Sequence, residues 1–453
     1  MLKRTQSLSP QKGIVLKRST ERFASFRALN RSRDFRTLCA SQLLAGLGEW
    51  LATLALIALV WEKTHSAVAS GLVLAFRILP AALIGSWLGG FVDRFNRKRV
   101  LIACNAGRAC IYGALPIVGG LAPVLALALV AEVGTIAYMS ARDATLPRLV
   151  PKESLPTANA ISMGSAFGAM PVGSGLFALM TWAQQQLGRE GVGFPLLAAA
   201  IIIGFATLLV GRLNAAVVCS QASHEGDANP EALPTKSSFR DGLRAIRALL
   251  AADPVLKRVA IGAAVAATGG GAVLTLGLAY VRGTLHAGPG AYGGLLTAFC
   301  AGVLVGVVGL QRNRQHMTKL FHLGVAAMGG ILLIMALFPS TPVGFGMGFI
   351  FGGAFVATFL GGITILQERV HDSLRGRAFA LAHSGLRVGA VTLGIAAAWG
   401  AKLLGSHQRS LGTFRMDGTQ IVFMAAGLFL LLGAMILLRP ATRAATAPAA
   451  AAV

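Results

Sequence analysis

The chain is poor in charge, and poorest in acid. Only 13% of its 453 residues are charged, and Asp and Glu together number 17 against 41 Lys and Arg. An average soluble globular protein carries charge on about 25% of its residues. Half that fraction, combined with a 55% hydrophobic composition and 56 Gly, excludes an ordinary soluble fold and indicates that lipid is the solvent.

Cysteine is also scarce. The five cysteines form no C-x-x-C pair and no metal-ligand spacing with histidine, and most of them fall in apolar runs. We therefore expect neither a disulfide nor a metal site. The sequence also lacks H-E-x-x-H, G-x-S-x-G and a Walker loop. We expect no catalytic residue, no ATP coupling and no bound cofactor, and therefore no enzyme.

Positive charge is abundant, but it is confined to short connections. The net charge is +24, a value that could indicate a nucleic-acid partner. Here, however, the basic residues separate apolar stretches and do not cluster on a soluble domain. We expect membrane lipid and a small molecule as partners, no nucleic acid, and a monomeric protein.

Apolar runs dominate the chain. About 20 apolar residues cross a bilayer as a helix, and in lipid the backbone must satisfy its own hydrogen bonds. Twelve such runs occur, at 37–60, 70–92, 99–119, 121–141, 157–184, 193–211, 255–282, 291–311, 319–338, 342–365, 378–404 and 420–438. The sequence predicts an all-α integral membrane protein with twelve transmembrane helices.

The distribution of Lys and Arg predicts the orientation. If the N-terminus is cytoplasmic, the cytoplasmic segments hold 32 Lys and Arg, and the opposite side holds 5. Positive residues favour the cytoplasmic side, so we expect both termini inside. We expect a multi-pass protein of the bacterial inner membrane.

The longest interior connection divides the runs into six and six. It contains a polar piece and then Phe239, Leu243, Ile246 and Leu250 at helical spacing, which predicts a surface helix ending at Asp253-Pro254. The predicted segments are a basic tail (1–36), a six-helix bundle (37–211), a cytoplasmic linker (212–254), a second six-helix bundle (255–438) and a tail (439–453).

One loop carries a family resemblance. The stretch GGFVDRFNRKRV (89–100) lies between the second and third runs and resembles the G-x-x-x-D-R-x-G-R-(K/R) loop of the major facilitator superfamily. The matching residues are Gly89, Asp93, Arg94, Arg97 and Lys98. Asn96 replaces a glycine, and we expect it to keep the turn because Asn tolerates left-handed backbone. The alternative is that the loop only follows the positive-inside rule.

Further stretches resemble one branch of that superfamily. The segments at 37–50, 141–161 and 366–380 are similar to drug- and siderophore-exporters, including macrolide-efflux and enterobactin-export proteins, and the resemblance covers about 35–438. Asp143, at the cytoplasmic end of the fourth run, is a further candidate partner of the loop arginines. The resemblance implies two six-helix bundles and a loop that latches against helix eleven. It also implies that helices one, four, seven and ten line a central cavity.

Two acids fall well inside the runs, Glu49 in the first and Glu132 in the fourth. Such residues are costly in lipid and mark polar pathways or proton sites, because apolar surroundings favour the protonated carboxyl. Arg77 is a candidate partner for either acid, and His383 is a further proton candidate. The alternatives are an interfacial or arginine-paired structural carboxylate and a hydrogen-bonded structural histidine. Arg108 is expected to extend its side chain to the cytoplasmic interface.

The fifth run contains Gly168, Pro171, Ser174 and Gly175. This pattern is similar to the G-P-x-x-G-G signature of antiporters, with Met170 and Ser174 in place of two glycines. The resemblance favours export weakly.

Together these features predict a secondary transporter. We expect alternating access and export of an amphipathic drug, macrolide-like compound or siderophore, with the proton as coupling ion. Glu49 and Glu132 suggest a cationic substrate. The alternatives are uptake or facilitated diffusion of a metabolite, and a membrane sensor that transports nothing.

Overall fold

A computed structural model describes residues 32–92, 94–151, 154–188, 191–214, 250–370, 372–405, 409–411 and 414–438. Within these ranges the chain forms twelve α-helices of at least 18 residues and one small sheet. The helices are α1 (Arg33–Thr64), α2 (Ala67–Val92), α3 (Arg97–Ala114), α4 (Leu121–Leu149), α5 (Leu155–Gln186), α6 (Gly193–Gly211), α7 (Pro254–Ala279), α8 (Pro289–Arg312), α9 (Met317–Leu337), α10 (Thr341–Arg369), α11 (Asp372–Leu404) and α12 (Gly418–Leu438).

Each predicted apolar run overlaps one of these helices. Within the described residues, eleven of the twelve helices contain a stretch long and apolar enough to cross a membrane. The all-helical membrane architecture is therefore confirmed. The number of twelve crossings and the cytoplasmic position of both termini stay predictions.

The chain divides into two compact units. The first is Met1–Thr235 with Ala287–Thr297, and the second is Lys236–His286 with Ala298–Val453. The first turns of α8 thus belong to the first unit. Residues 1–31 of the predicted basic tail, most of the linker with its amphipathic piece, and the C-terminal tail lie outside the described residues; the last four residues predicted for the basic tail, 33–36, belong to α1.

Helix α1 is the centre of the first unit. Every residue from Leu51 to Val60 is buried, so this stretch has no face left for lipid, as expected of a helix that is apolar all round. It packs chiefly against α5 and α6. The crossing with α5 is close because Gly173 has no side chain: a Cβ there would lie 2.8 Å from the Cβ of Trp50 and 3.0 Å from the Leu47 carbonyl oxygen.

In the second unit, α7 packs against α11 and α12, and α9 packs against α10 and α12. The α9–α12 crossing is built on two facing glycines. A Cβ on Gly329 would lie 2.8 Å from the carbonyl oxygen of Gly427, and a Cβ on Gly427 would lie 2.8 Å from that of Gly329. Small residues of this kind let membrane helices approach closely.

The N-terminus of α7 is capped by an ion-paired aspartate. The Asp253 carboxylate accepts hydrogen bonds from the backbone N–H groups of Val255 and Leu256, and from Arg369 at the end of α10 at 2.9 Å. Partial desolvation raises the pKa of the Asp253 carboxyl, but these hydrogen bonds outweigh it and hold that pKa below its usual value. Pro254 follows at the first helical position, where a missing N–H costs nothing.

A short hairpin precedes α12 and was not predicted. Strands β1 (Arg409–Leu411) and β2 (Phe414–Met416) pair antiparallel. Asp417 then caps α12: its Oδ1 accepts from the backbone N–H of Gln420, and its own N–H donates back to Gln420 Oε1. Thr284, at the end of the π-helical turn Tyr280–Thr284 that follows α7, donates to Asp417 Oδ2 at 2.6 Å.

Candidate functional site

The first unit contains a buried polar cluster centred on Glu49 of α1. Its carboxylate accepts hydrogen bonds from Arg77 of α2, from Arg108 of α3 at 2.8 Å and from the Tyr112 hydroxyl at 2.8 Å. Thr135 of α4 adds a weaker contact at 3.4 Å. One carboxylate therefore joins four helices deep in apolar surroundings.

Arg77 is shared between the two acids that the sequence singled out. Its Nη2 pairs with Glu49 Oε1 and lies 3.6 Å from Glu132 Oε2, and its Nη1 donates to the Tyr112 hydroxyl at 3.2 Å. The Arg77 and Glu132 side chains are each 9% exposed and that of Glu49 is 14% exposed. The structure thus brings Glu49, Arg77 and Glu132 together.

The expectation for Arg108 was wrong. Its side chain is only 3% exposed and does not extend to the membrane interface. Nη1 binds Glu49 and donates to Thr135 Oγ1 at 3.1 Å, and Nη2 donates to Asn105 Oδ1. The guanidinium also lies over the Tyr138 ring, 5.1 Å from its centroid, where a cation–π attraction adds to the pairing. The Arg108 guanidinium is buried, and the Glu49 carboxylate compensates its charge in place of water.

We refer to these eight residues as the Glu49 cluster; its members are Glu49, Arg77, Asn105, Arg108, Tyr112, Glu132, Thr135 and Tyr138. The sequence drew attention to four of them, Glu49, Arg77, Arg108 and Glu132, and missed the other four. Their helical spacing was the available signal: Asn105, Arg108 and Tyr112 lie at i, i+3 and i+7, and Glu132 and Thr135 are three apart. Spacing alone does not say which way a helix face points.

The ionised cluster is electrically neutral. It contains two carboxylates, Glu49 and Glu132, and two guanidinium groups, Arg77 and Arg108. The two acids are matched within the first unit, so they give no surplus negative charge with which to attract a cation. A proton added to either carboxylate leaves the cluster with one net positive charge in a medium that penalises it. The cluster can therefore convert proton binding into a change of contacts among α1 to α4.

Only part of the predicted latch loop is described. Asp93 lies outside the described residues, and Gly89 lies in the last turn of α2. Arg94 is exposed in the turn, and Arg97 is the first residue of α3. Lys98 makes a defined contact, donating from Nζ to the Leu213 carbonyl just after α6 at 2.6 Å. It ties the start of α3 to the end of α6.

Asn96 and Asp143 both differ from what the sequence predicted for this region. Asn96 does not use left-handed backbone: its φ is −62° and its ψ is 112°, and its side chain accepts from the backbone N–H of Arg99. Asn96 is the N-cap of α3, a position at which Asn is among the most favourable residues. Asp143, expected as a partner for the loop arginines, forms an ion pair with its neighbour Arg142 at 2.5 Å.

The helix-five motif lies in α5. Pro171 is inside the helix, and Ser174 is buried. The Ser174 hydroxyl is 2.9 Å from that of Thr297, and a Cβ on Gly175 would lie 3.7 Å from the same hydroxyl. A Cβ on Gly168 would meet nothing within 4 Å. The motif therefore contains a hydrogen-bonded contact between Ser174 and Thr297, within the first unit.

His383 falls in α11, but its side chain lies outside the described part of the chain. The residues that the structure describes contain no group of three His, Cys, Asp or Glu side chains that could hold a metal ion.

Comparison with known proteins identifies the family. The profile of the Major Facilitator Superfamily matches residues 38–391. The chain belongs to this superfamily, and the protein is a multi-pass membrane transporter.

Relatives and solved structures agree with this assignment. An uncharacterized MFS-type transporter of Mycobacterium tuberculosis is 27% identical over 379 residues, covering 79% of this chain and 82% of the relative. Macrolide efflux protein A of Streptococcus pyogenes is 29% identical over 126 residues, which cover 27% of this chain and 31% of that protein. The crystal structure of the nucleoside transporter NupG has a TM-score of 0.64 at 14% identity, covering 89% of this chain and 98% of that one, and shows the shared fold.

Proposed function

We propose that this transporter exports an amphipathic small molecule of medium size across the bacterial inner membrane, by alternating access and in exchange for protons. The candidate substrates are drugs, macrolide-like compounds and siderophores. The similarity to macrolide efflux protein A supports export, although it spans under a third of either chain. The distribution of Lys and Arg supports a cytoplasmic position for both termini.

The Glu49 cluster is the observation that carries proton coupling. Two carboxylates and two guanidinium groups inside a membrane bundle are expensive, and such residues in membrane helices are typical of proton relays and substrate pathways. Glu49 and Glu132 share Arg77, so a proton on one acid changes how tightly Arg77 is held by the other. The two acids then behave as one coupled proton site.

Proton binding would act through the contacts of Arg77 and Arg108. With both acids ionised, Glu49 holds α1 to α2 and α3 through charge-assisted hydrogen bonds. A protonated Glu49 loses most of that attraction, so the three helices are freed to take the second arrangement of the transport cycle. Release of the proton restores the first arrangement. This cycle is antiport if the substrate favours the unprotonated state.

The test uses the purified protein in liposomes with an imposed pH gradient. Rhodamine 6G and a radiolabelled macrolide serve as probes, and a pH-sensitive dye in the lumen reports proton movement. Wild-type protein is expected to move a probe against its gradient, with protons moving the opposite way. The variants Glu49→Gln and Glu132→Gln are each expected to lose the proton movement. Glu62→Gln, the same exchange near the end of α1, is the matched control and is expected to behave as wild type.

The two outcomes separate the parts of the proposal. Transport of a probe without counter-movement of protons contradicts antiport, and supports facilitated diffusion by the same fold. Proton-coupled transport that persists in both Glu49→Gln and Glu132→Gln would show that the coupling site is elsewhere.

A further inference from the structure

Asn105 and Tyr138 are members of the Glu49 cluster to which the proton cycle assigns no role. We propose that Asn105, Arg108 and Tyr138 hold ordered water, and that this water and the Tyr138 hydroxyl carry protons between Glu49 and the cytoplasm. The proposal rests on the proposed function in two respects, the proton as coupling ion and the cytoplasmic position of the termini.

Three buried polar atoms of the cluster have no hydrogen-bond partner of normal geometry within the part of the chain that the structure describes. They are Asn105 Nδ2, Arg108 Nε and the Tyr138 hydroxyl oxygen. The three residues are 0%, 2% and 4% exposed. A buried polar atom without a partner destabilises a protein, and ordered water is the usual partner where protein atoms supply none. Water at these atoms removes that cost.

The three side chains lie close to one another. Arg108 Nη2 donates to Asn105 Oδ1, so these two side chains are in contact. The guanidinium carbon of Arg108 is 5.1 Å from the centroid of the Tyr138 ring, and the Tyr138 hydroxyl lies near the side chains of Asn105 and Ser41. An ordered water needs about two to four polar partners, and this small site supplies three.

These polar side chains lie to one side of Glu49 along the helices. Ser41 is eight residues from the start of α1, whereas Glu49 is sixteen from it. Asn105 is eight residues from the start of α3, and Tyr138 is eleven from the end of α4. The first turns of α1 and α3 and the last turns of α4 pack in one hydrophobic cluster, so these ends lie on the same side of the unit. That side is cytoplasmic in the proposed orientation.

The route continues from Tyr138 to an exposed carboxylate. Arg142 follows Tyr138 by one turn of α4, and its charge acts on the Tyr138 hydroxyl. The Arg142 side chain is 12% exposed and pairs at 2.5 Å with Asp143, which is 61% exposed. The Ser41 hydroxyl donates to the Leu38 carbonyl at 2.8 Å, and its oxygen is left to accept a hydrogen bond.

The opposite side of Glu49 offers no comparable route through α1, α3 and α4. Residues 51–60 of α1 are all buried. Thr53 is the one polar residue among them, and its hydroxyl donates to the Glu49 backbone carbonyl at 2.6 Å. Helix α3 ends two residues after Tyr112, and the stretch 121–131 of α4 contains no polar side chain. A polar route through these three helices is therefore open on one side only.

One proton is handed on at each step of the route. The protonated Glu49 carboxyl gives its proton to water, and the water gives one of its own protons to the Tyr138 oxygen. At the same time the Tyr138 hydroxyl releases its original proton to the next acceptor, on the side of Ser41. Every O–H bond that breaks is replaced by one that forms, so Glu49 becomes ionised and the water and Tyr138 stay neutral. Proton uptake follows the same steps in reverse.

Hydroxyl-radical footprinting by X-ray radiolysis tests the water site without a substrate. Radicals formed from ordered water oxidise the side chain beside it, and mass spectrometry of the purified full-length protein in detergent micelles locates the product. Tyr138 is expected to be oxidised although it is buried. Tyr280 is the matched control and is expected to stay unmodified, because it is also buried and its hydroxyl donates to the Met335 carbonyl at 2.9 Å. Asn105→Leu is expected to lose the oxidation of Tyr138, and Asn105→Ser, which keeps a polar atom, is expected to retain it.

Tyr138→Phe tests the proton route. The substitution keeps the ring over Arg108 and removes a hydroxyl that has no partner of normal geometry among the described residues, so the variant is expected to fold. In liposomes with rhodamine 6G and an imposed pH gradient, its proton movement is expected to slow about tenfold, the size of one hydrogen bond lost from the route. Its rate is also expected to fall more in D2O than the wild-type rate does, because proton transfer has become the slow step. Tyr280→Phe is expected to match wild type in both measurements.

The water site is overturned if Tyr138 is oxidised no faster than Tyr280. The proton route is overturned if Tyr138→Phe moves protons at the wild-type rate, or if its slower rate shows no larger effect of D2O, as expected of damage to folding alone. Failure of the proposed function looks different. Wild type then shows no proton counter-movement while Tyr138 is still oxidised, so the water site stands, and antiport and the role of this water in it are both removed.

Discussion

The ion pair between Glu49 and Arg108 gives the sharpest energetic prediction. When Glu49 is replaced by Gln, the cluster keeps two guanidinium groups, Arg77 and Arg108, but only one carboxylate, Glu132. Breaking a buried ion pair on one side costs about 3–5 kcal/mol, because the remaining charge stays buried without compensation. We expect Glu49→Gln and Arg108→Gln each to lower the free energy of unfolding by about this amount.

The double variant should be much less affected than the sum of the two. With both residues replaced, Arg77 and Glu132 remain and the cluster is neutral again. We therefore expect a coupling energy of about 2–3 kcal/mol between Glu49 and Arg108, at the upper end of values for residues in contact. Unfolding by sodium dodecyl sulfate in mixed micelles, followed by tryptophan fluorescence, measures all four corners of the cycle.

The pair Arg142–Asp143 is the control for this measurement. Asp143 is 61% exposed, so the same cycle with Arg142→Gln and Asp143→Asn should give a coupling of less than about 1 kcal/mol. If the effects of Glu49→Gln and Arg108→Gln add to within about 0.5 kcal/mol, the charge-balance argument is refuted.

Three further results are expected from unfolding measurements. Gly173→Val should destabilise the α1–α5 crossing by about 1–3 kcal/mol, because the new side chain meets the Trp50 Cβ and the Leu47 carbonyl. Gly164→Val on the same helix is the control and should cost much less, since a Cβ there meets nothing within 4 Å. Lys98→Met should weaken the α3–α6 tie by about 1–3 kcal/mol through loss of the bond to the Leu213 carbonyl, and exposed Arg99→Met should change little. The Asp253 carboxyl has a lowered pKa in the folded protein, so its contribution to stability is present above its ordinary pKa near 3.8 and is lost as pH falls through the lower pKa of the folded state. The difference in free energy of unfolding between wild type and Asp253→Asn should therefore be constant at neutral pH and shrink only below about pH 4. A loss already complete at pH 6 would contradict the lowered pKa.

Hydrophobic runs were enough to predict the helices but not their ends. The run 37–60 corresponds to α1 at Arg33–Thr64, and the run 378–404 corresponds to α11 at Asp372–Leu404. Most of the extra residues are polar, and they extend each helix beyond the apolar stretch from which it was predicted. The hairpin of β1 and β2 was missed for a similar reason, since three-residue strands have no periodicity to detect.

The site was predicted only in part. A charged residue in an apolar run is visible in a sequence, but the direction in which its side chain points is not. Glu49 and Glu132 stand out as acids among apolar residues, and Arg77 follows as a charge to match them. Arg108 was given the wrong role, since a position about two turns from a helix end is compatible both with reaching the interface and with facing inward. The carboxylate of Glu49 on another helix decides between the two, and that contact appears only once the helices are packed.

The neutrality of the Glu49 cluster has a consequence for how such a protein can change over generations. A single substitution that removes the charge of Glu49, Arg77, Arg108 or Glu132 leaves an unbalanced charge in the membrane, whereas loss of one acid together with one base does not. Lineages that alter this cluster should therefore do so by exchanging an acid and a base together, through short-lived or compensated intermediates. Homologues would then differ in whole pairs, and the arginine lost should be one that contacts the acid lost with it.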